Sequence, residues 1–173
     1  MRRIKTPLTK SVKMKLKCGQ EVLLSGTIYT ARDEAHKKLA AFIKRKKSLP
    51  FNLKDAVIYY SGPTPRRQNG LFGSCGPTTS SRMDKFTPAL LNKGLGGMIG
   101  KGRRSSQVKA LIKKQRAVYF LAIGGAGAYL AKRIKSSTLL AFRALGPEAI
   151  YKLEVKDFPL IVGIDSRGRS VYK

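Results

Sequence analysis

The chain has 173 residues, 42% of them hydrophobic, which is about the length of a single domain and ample for one core. Thirty-six Lys and Arg stand against nine Asp and Glu, a net charge of +27; that field exceeds what solubility requires, so the natural partner is anionic, whether nucleic acid, a membrane surface, an acidic protein or a small polycarboxylate. The two cysteines, Cys18 and Cys75, are more than fifty residues apart and lack the close spacing of zinc or iron–sulfur ligands, which excludes a cluster held by this chain alone.

Met1-Arg2-Arg3-Ile4-Lys5 is charged and leads into Thr6-Pro7 and a Lys-rich stretch instead of an apolar signal core, arguing against export. Val12 to Leu16 alternates Val-Lys-Met-Lys-Leu, the period of two expected of a half-buried strand. After a turn at Gly19, Glu21 to Thr30 predicts a second strand. Arg32-Asp33 follows, and Ala35, Leu39, Phe42 and Ile43 take up helical spacing. Asp33 is a candidate cap. Lys37, Lys38 and Lys44 to Lys47 occupy the opposite face, and Pro50 closes the helix. His36, on the first turn, reads as structural.

Ala56 to Tyr60 predicts a short strand, followed by a long loop rich in Gly and Pro from Ser61 to Pro77; loops of that length in compact domains are commonly functional. The run Thr78-Thr79-Ser80-Ser81 then opens a helix whose apolar face carries Met83, Phe86, Leu90 and Leu91. Hydroxyls and free backbone N–H groups at a helix start, with Arg82 in the first turn, can hold a carboxylate or phosphate. Caps without a ligand are the commoner case. Gly94 to Gly102 contains five glycines, but Lys101 is not a P-loop lysine: Gly94 stands one residue too far from Gly100, and Gly102 replaces the magnesium-binding Ser or Thr. Read alone, Lys101 is a solvated lysine at a strand-to-helix turn.

A basic helix with a Val108, Leu111 and Ile112 stripe comes next. Ala117 to Ala131, between Arg116 and Lys132, is too short for a membrane helix and reads as a buried strand, a turn through Gly124, Gly125 and Gly127, and a helix start. Glu148 to Tyr172 predicts strands broken by turns at Asp157-Phe158-Pro159 and Asp165-Ser166-Arg167-Gly168. The order is mixed α/β without an internal repeat. No catalytic triad, carboxylate pair or multi-His set is visible. The basic runs at Lys44 to Lys47, Lys101 to Arg104 and Lys113 to Arg116 could track a phosphate backbone, but there is no Trp and the Tyr and Phe fall in apolar patterns. Solvated faces are therefore the default, and a basic nucleic-acid-binding module is the alternative of a different class.

In order, the segments Ser25 to His36, Tyr59 to Pro63, Gly76-Pro77-Thr78-Thr79-Ser80-Ser81-Arg82-Met83-Asp84, Ile99-Gly100-Lys101-Gly102, Tyr119 to Ala126 and Glu148 to Val155 resemble the β subunit of class I fumarase and L-tartrate dehydratase, which is the C-terminal domain of single-chain members. The resemblance covers nearly the whole chain. It implies a single swivelling β/β/α domain over residues 1–173, with a mixed sheet and flanking helices, and an active site shared with a larger α chain. In that family the larger part holds a four-iron, four-sulfur cluster through three cysteines, one iron being open as a Lewis acid for the substrate hydroxyl. Carried over by motif, Arg32, Arg82 and Lys101 would hold the substrate's carboxylates, and Thr78 would serve proton transfer beside one of them. A hydro-lyase subunit acting on fumarate and malate, or on tartrate, follows from the resemblance. Its α partner is expected to be acidic, the assembly a hetero-oligomer, and the compartment the cytoplasm. Cys75, where many relatives carry a small residue, and the basic loop Arg66-Arg67-Gln68-Asn69 depart from the pattern.

Overall fold

A ten-residue strand, β2 (Glu21–Thr30), is the spine of the computed structural model, which describes residues 1–123 and 125–173. Its apolar side chains Val22, Leu24 and Ile28 alternate inward and are fully buried. One edge of β2 pairs antiparallel with β7 (Ile150–Ile164), from Glu21 opposite Ile161 to Tyr29 opposite Lys152. The other edge pairs in parallel, first with β1 (Arg2–Lys5) and then with β3 (Val57–Tyr59). β4 (Gly97–Gly100) and β5 (Val118–Leu121) extend the parallel series, and β5 pairs antiparallel with the end of β7. Because β7 is bonded to both β2 and β5, the sheet closes into a ring of β2, β3, β4, β5 and β7; β6 (Ile134–Ala141) lies outside it, antiparallel to β7. Closure removes most exposed strand edges.

The side-chain period of two divides the core in two. Val57, Tyr59, Ile99, Val118 and Phe120 point into the ring with Phe158 and Val162. Ile58, Tyr60, Met98 and Tyr119 point the other way, beneath α2 (Asp33–Lys44), α3 (Thr87–Asn92) and α4 (Ser106–Gln115). The mixed sheet with flanking helices is the expected α/β architecture. α2 buries Ala35, His36 and Leu39, and α4 buries Val108 and Ile112 on the stripe its sequence predicts. Ser105 caps α4 by accepting the Val108 N–H at 3.2 Å. After β5, α5 (Gly127–Ala131) begins where the expected helix start lies; Gly124 of the expected turn is outside the described residues.

Four local expectations are corrected. Val12 to Leu16 is not a strand: Lys10–Met14 form the short helix α1, and Lys13 is the buried residue, its Nζ 2.9 Å from Asp55 Oδ1. A tertiary ion pair thus outweighs a five-residue alternation. Conversely, Arg2–Lys5 pairs as an edge strand although only Ile4 is buried there. Asp157 does not end a strand, since β7 runs through it. Its φ of 50° is a left-handed conformation that Asp tolerates, and its N–H donates to Ser25 Oγ at 3.0 Å. Finally, Asp33 is not a cap: Arg32 occupies that position with no side-chain cap bond, and the Thr78 to Ser81 run leads through a 3₁₀ turn (Ser80–Met83) before α3 begins.

Candidate active site

The parallel strands β2, β3 and β4 end side by side, and the residues just beyond them carry the side chains singled out in the sequence. Chain continuing past a strand's C-terminal end cannot extend the ladder, so its polar groups are free to face a ligand. Beyond β2, the Ala31 N–H still donates to the Tyr59 carbonyl at 3.1 Å, and Arg32 then turns the chain into α2. The Arg32 carbonyl accepts both the His36 N–H at 2.9 Å and the His36 imidazole at 2.8 Å. The Arg32 side chain lies across Gly62: a methyl added there would come within 2.8 Å of Nη1 and 2.9 Å of Cδ. Among the described residues, the buried Arg32 Nε has no hydrogen-bond partner.

Beyond β3, the loop from Ser61 to Pro77 returns to where it started. Thr64 and Ser74 bond across it, and Ser61 Oγ donates to the Gly76 carbonyl at 2.8 Å. Thr78 is thereby set against the strand end, its N–H and its hydroxyl both donating to the Tyr60 carbonyl, at 2.7 and 3.1 Å. The next residue, Thr79, pairs in parallel with Lys101, and the Ser80 N–H donates to the Lys101 carbonyl at 3.0 Å. This close approach needs Gly100, because a methyl there would overlap Ser80 Oγ and come within 2.8 Å of Tyr60 Cδ2. Arg82, in the 3₁₀ turn, places Nε 3.3 Å from Asp33 Oδ1 with both side chains partly exposed.

Arg32 is next in the chain to Asp33, which pairs with Arg82, and Thr78 is next to Thr79, which pairs with Lys101. A cleft of about 760 Å³ between the end of α2 and Lys93, and another of about 510 Å³ beside Arg66 and Arg143, are lined by none of Arg32, Thr78, Arg82 and Lys101. Sequence reasoning missed Asp33 as the partner of Arg82, since its place beside Arg32 suggested only a cap, and missed the Tyr60 carbonyl, which leaves no trace in a side-chain pattern.

The residues present do not form a cluster-binding set: among those described, no group of three or more His, Cys, Asp or Glu could hold a metal ion. Cys75 is fully buried 3.3 Å from Ser61 Oγ, and burial pushes its thiol up to about 12 against the opposing effect of that hydroxyl. Cys18 lies elsewhere, its N–H bonded to Asp165. Nor is any helix among the described residues long and apolar enough to cross a membrane.

Known proteins are similar to this chain. Fumarate hydratase 2 of Leishmania major is 42% identical over 157 residues, covering 89% of this chain and 28% of that protein. The anaerobic class I fumarate hydratase of Escherichia coli K12 is 42% identical over 153 residues, 87% of this chain and 28% of that protein. A Methanocaldococcus jannaschii protein provisionally named L(+)-tartrate dehydratase subunit beta is 40% identical over 172 residues, 96% of this chain and 88% of that protein. The chain thus spans little more than a quarter of the fumarate hydratases and most of the tartrate dehydratase subunit. Residues 2–173 match the family described as the fumarase C-terminus, and the chain belongs to it.

Proposed function

We propose that the chain, as one domain over residues 1–173, is the β subunit of an iron–sulfur-dependent hydro-lyase that interconverts fumarate and L-malate in the cytoplasm. The reading is supported by the contacts Arg82–Asp33, Thr79–Lys101 and Thr78–Tyr60, which join the segments bearing Arg82, Thr78 and Lys101 to the ends of β2, β3 and β4, with Arg32 next to Asp33 in the chain. A dicarboxylate supplies the two negative charges that these cations would bind, and an α subunit would complete the site. The four-iron, four-sulfur cluster belongs to that α subunit, where it supplies Lewis acidity toward the substrate hydroxyl.

This chain's own part is binding and charge stabilisation. Arg32, Arg82 and Lys101 hold the carboxylates; when a proton leaves the carbon beside one of them, Arg82 and Lys101 meet the added negative charge, a gain larger in the transition state than in the ground state. Thr78 is in contact with the same carbon as a proton relay. Its hydroxyl donates to the Tyr60 carbonyl, which holds the neutral form because an alkoxide there would be repelled by the carbonyl oxygen. A stronger proton acceptor must come from the partner.

A second reading, tartrate dehydration to oxaloacetate, is favoured by the relative whose length this chain nearly spans. Assaying both hydroxy acids anaerobically, with the co-purifying partner present, separates the two. In the same assay Arg82→Ala should lower kcat/KM by about 10²-fold or more, the usual effect of losing a preorganised charge-stabilising group, with the subunit still folded and paired. Unchanged turnover would remove Arg82 from the site.

A further inference from the structure

We propose that Arg104 is a positioning residue that couples the segment bearing Arg82 to the loop bearing Lys101, and so sets the spacing of the two cations that receive a dicarboxylate; the spacing half rests on the hydro-lyase reading above. The Arg104 side chain is wholly buried. Its Nε lies 2.7 Å from Asp84 Oδ1 and its Nη2 lies 2.9 Å from Thr87 Oγ1. The guanidinium lies over two aromatic rings, 5.2 Å from the centroid of Tyr60 and 4.9 Å from that of Tyr119. The other Asp84 oxygen accepts the Ser105 N–H at 2.7 Å. Asp84 is two residues past Arg82, while Arg104 and Ser105 end the loop that begins at Lys101. The fork of Arg104 is therefore a side-chain tie between the two stretches of chain that carry those cations.

A second tie runs alongside. The Tyr119 hydroxyl is 2.8 Å from both Ser80 Oγ and the Gly102 carbonyl. Both oxygens lie where they can accept, so the tyrosine's one proton serves Ser80 Oγ and the Gly102 carbonyl in turn. Burying an ion pair roughly breaks even against apolar packing in stability, because desolvation cancels most of the attraction. What a planar, bidentate group adds over packing is a fixed direction at each end. Here both ends lead to a residue of the candidate site.

The test is Arg104→Lys, which keeps the charge and loses the fork, with Thr87→Val as a milder variant that removes one of the contacts in case the first fails to fold. In the full-length chain, amide hydrogen exchange should quicken together over residues 80–86 and 101–106 and stay unchanged in β7. In the complex with the partner, competitive inhibition by succinate, a dianion of the substrate's length, should weaken about tenfold or more while inhibition by butyrate, a monoanion, stays the same, since misplacing one anchor penalises only a ligand that uses both. Exchange confined to one segment overturns the coupling. Succinate and butyrate weakened alike, or neither weakened, reduces Arg104 to a structural residue. A wild-type complex indifferent to every dicarboxylate sinks the hydro-lyase reading and the spacing half with it, while the exchange pattern still decides the coupling.

Discussion

His36 shows how much one buried side chain can depend on its neighbours. It donates from Nδ1 to the Arg32 carbonyl, which can only accept, so the tautomer is set and Nε2 carries the lone pair. Nε2 is buried without a partner among the described residues, and the ring meets Tyr60 edge-on at 5.2 Å. Burial pulls its pKa down from 6.5 to about 4; the Arg32 carbonyl opposes that shift, Arg104 adds to it and Asp33 opposes it. A histidine whose folded pKa lies below its unfolded value binds fewer protons folded than unfolded between the two. Stability is thus complete above about pH 6.5 and falls as pH drops toward 4, by roughly 3 kcal/mol at about 1.4 kcal/mol per unit. His36→Gln should flatten the decline of Tm between those limits; an unchanged slope would assign acid sensitivity to other groups. The structural role read from the sequence is upheld by this burial, though nothing in the sequence marks the Arg32 carbonyl as the residue's partner.

At the scale of elements, the candidate site is made by how closely chain segments approach beyond the strand ends. Gly100 is the narrowest point: its strand is extended, so backbone freedom is not the issue, but a side chain would meet Ser80 and Tyr60. Gly100→Ala should cost about 1–3 kcal/mol from overpacking and lower Tm by several degrees, at roughly 2–4 °C per kcal/mol for a chain of this size. Turnover with the partner should fall further, because Ser80 and Lys101 are pushed apart. Gly102 provides the contrast. Its φ is +84° and a methyl there would meet nothing within 4 Å, so alanine costs only the conformational penalty of about 1 kcal/mol. Equal losses at the two positions, read by thermal unfolding, would contradict this account. The strand β2 and the helices α2 and α4 were legible from periodicity, since each has one face in the core, and β3 and β5, buried on both faces, were legible as short apolar runs. α1 and the bulge at Asp157 were not, because Lys13 and Asp157 are placed by partners distant in sequence, Asp55 and Ser25.

For the whole molecule the dominant fact is a net charge of +27, which opposes compaction and favours an anionic partner. With an acidic α subunit, association should slow by about tenfold or more between low and high salt, as steering is screened; stopped-flow mixing of the purified subunits measures it, and a salt-independent rate would detach the charge from assembly. The sequence alone determined the α/β class, the basic character and the family, and it singled out Arg32, Thr78, Arg82 and Lys101 as candidates, because composition, periodicity and motif order are properties of the chain read in one dimension. Ring closure was decided only in three dimensions, since it depends on β7 reaching both β2 and β5. So was the pairing of Arg82 with Asp33 and of Thr79 with Lys101. Those contacts join segments separated by long loops, and whether such segments meet is set by the packing of the strands between them, which no local pattern of residues encodes.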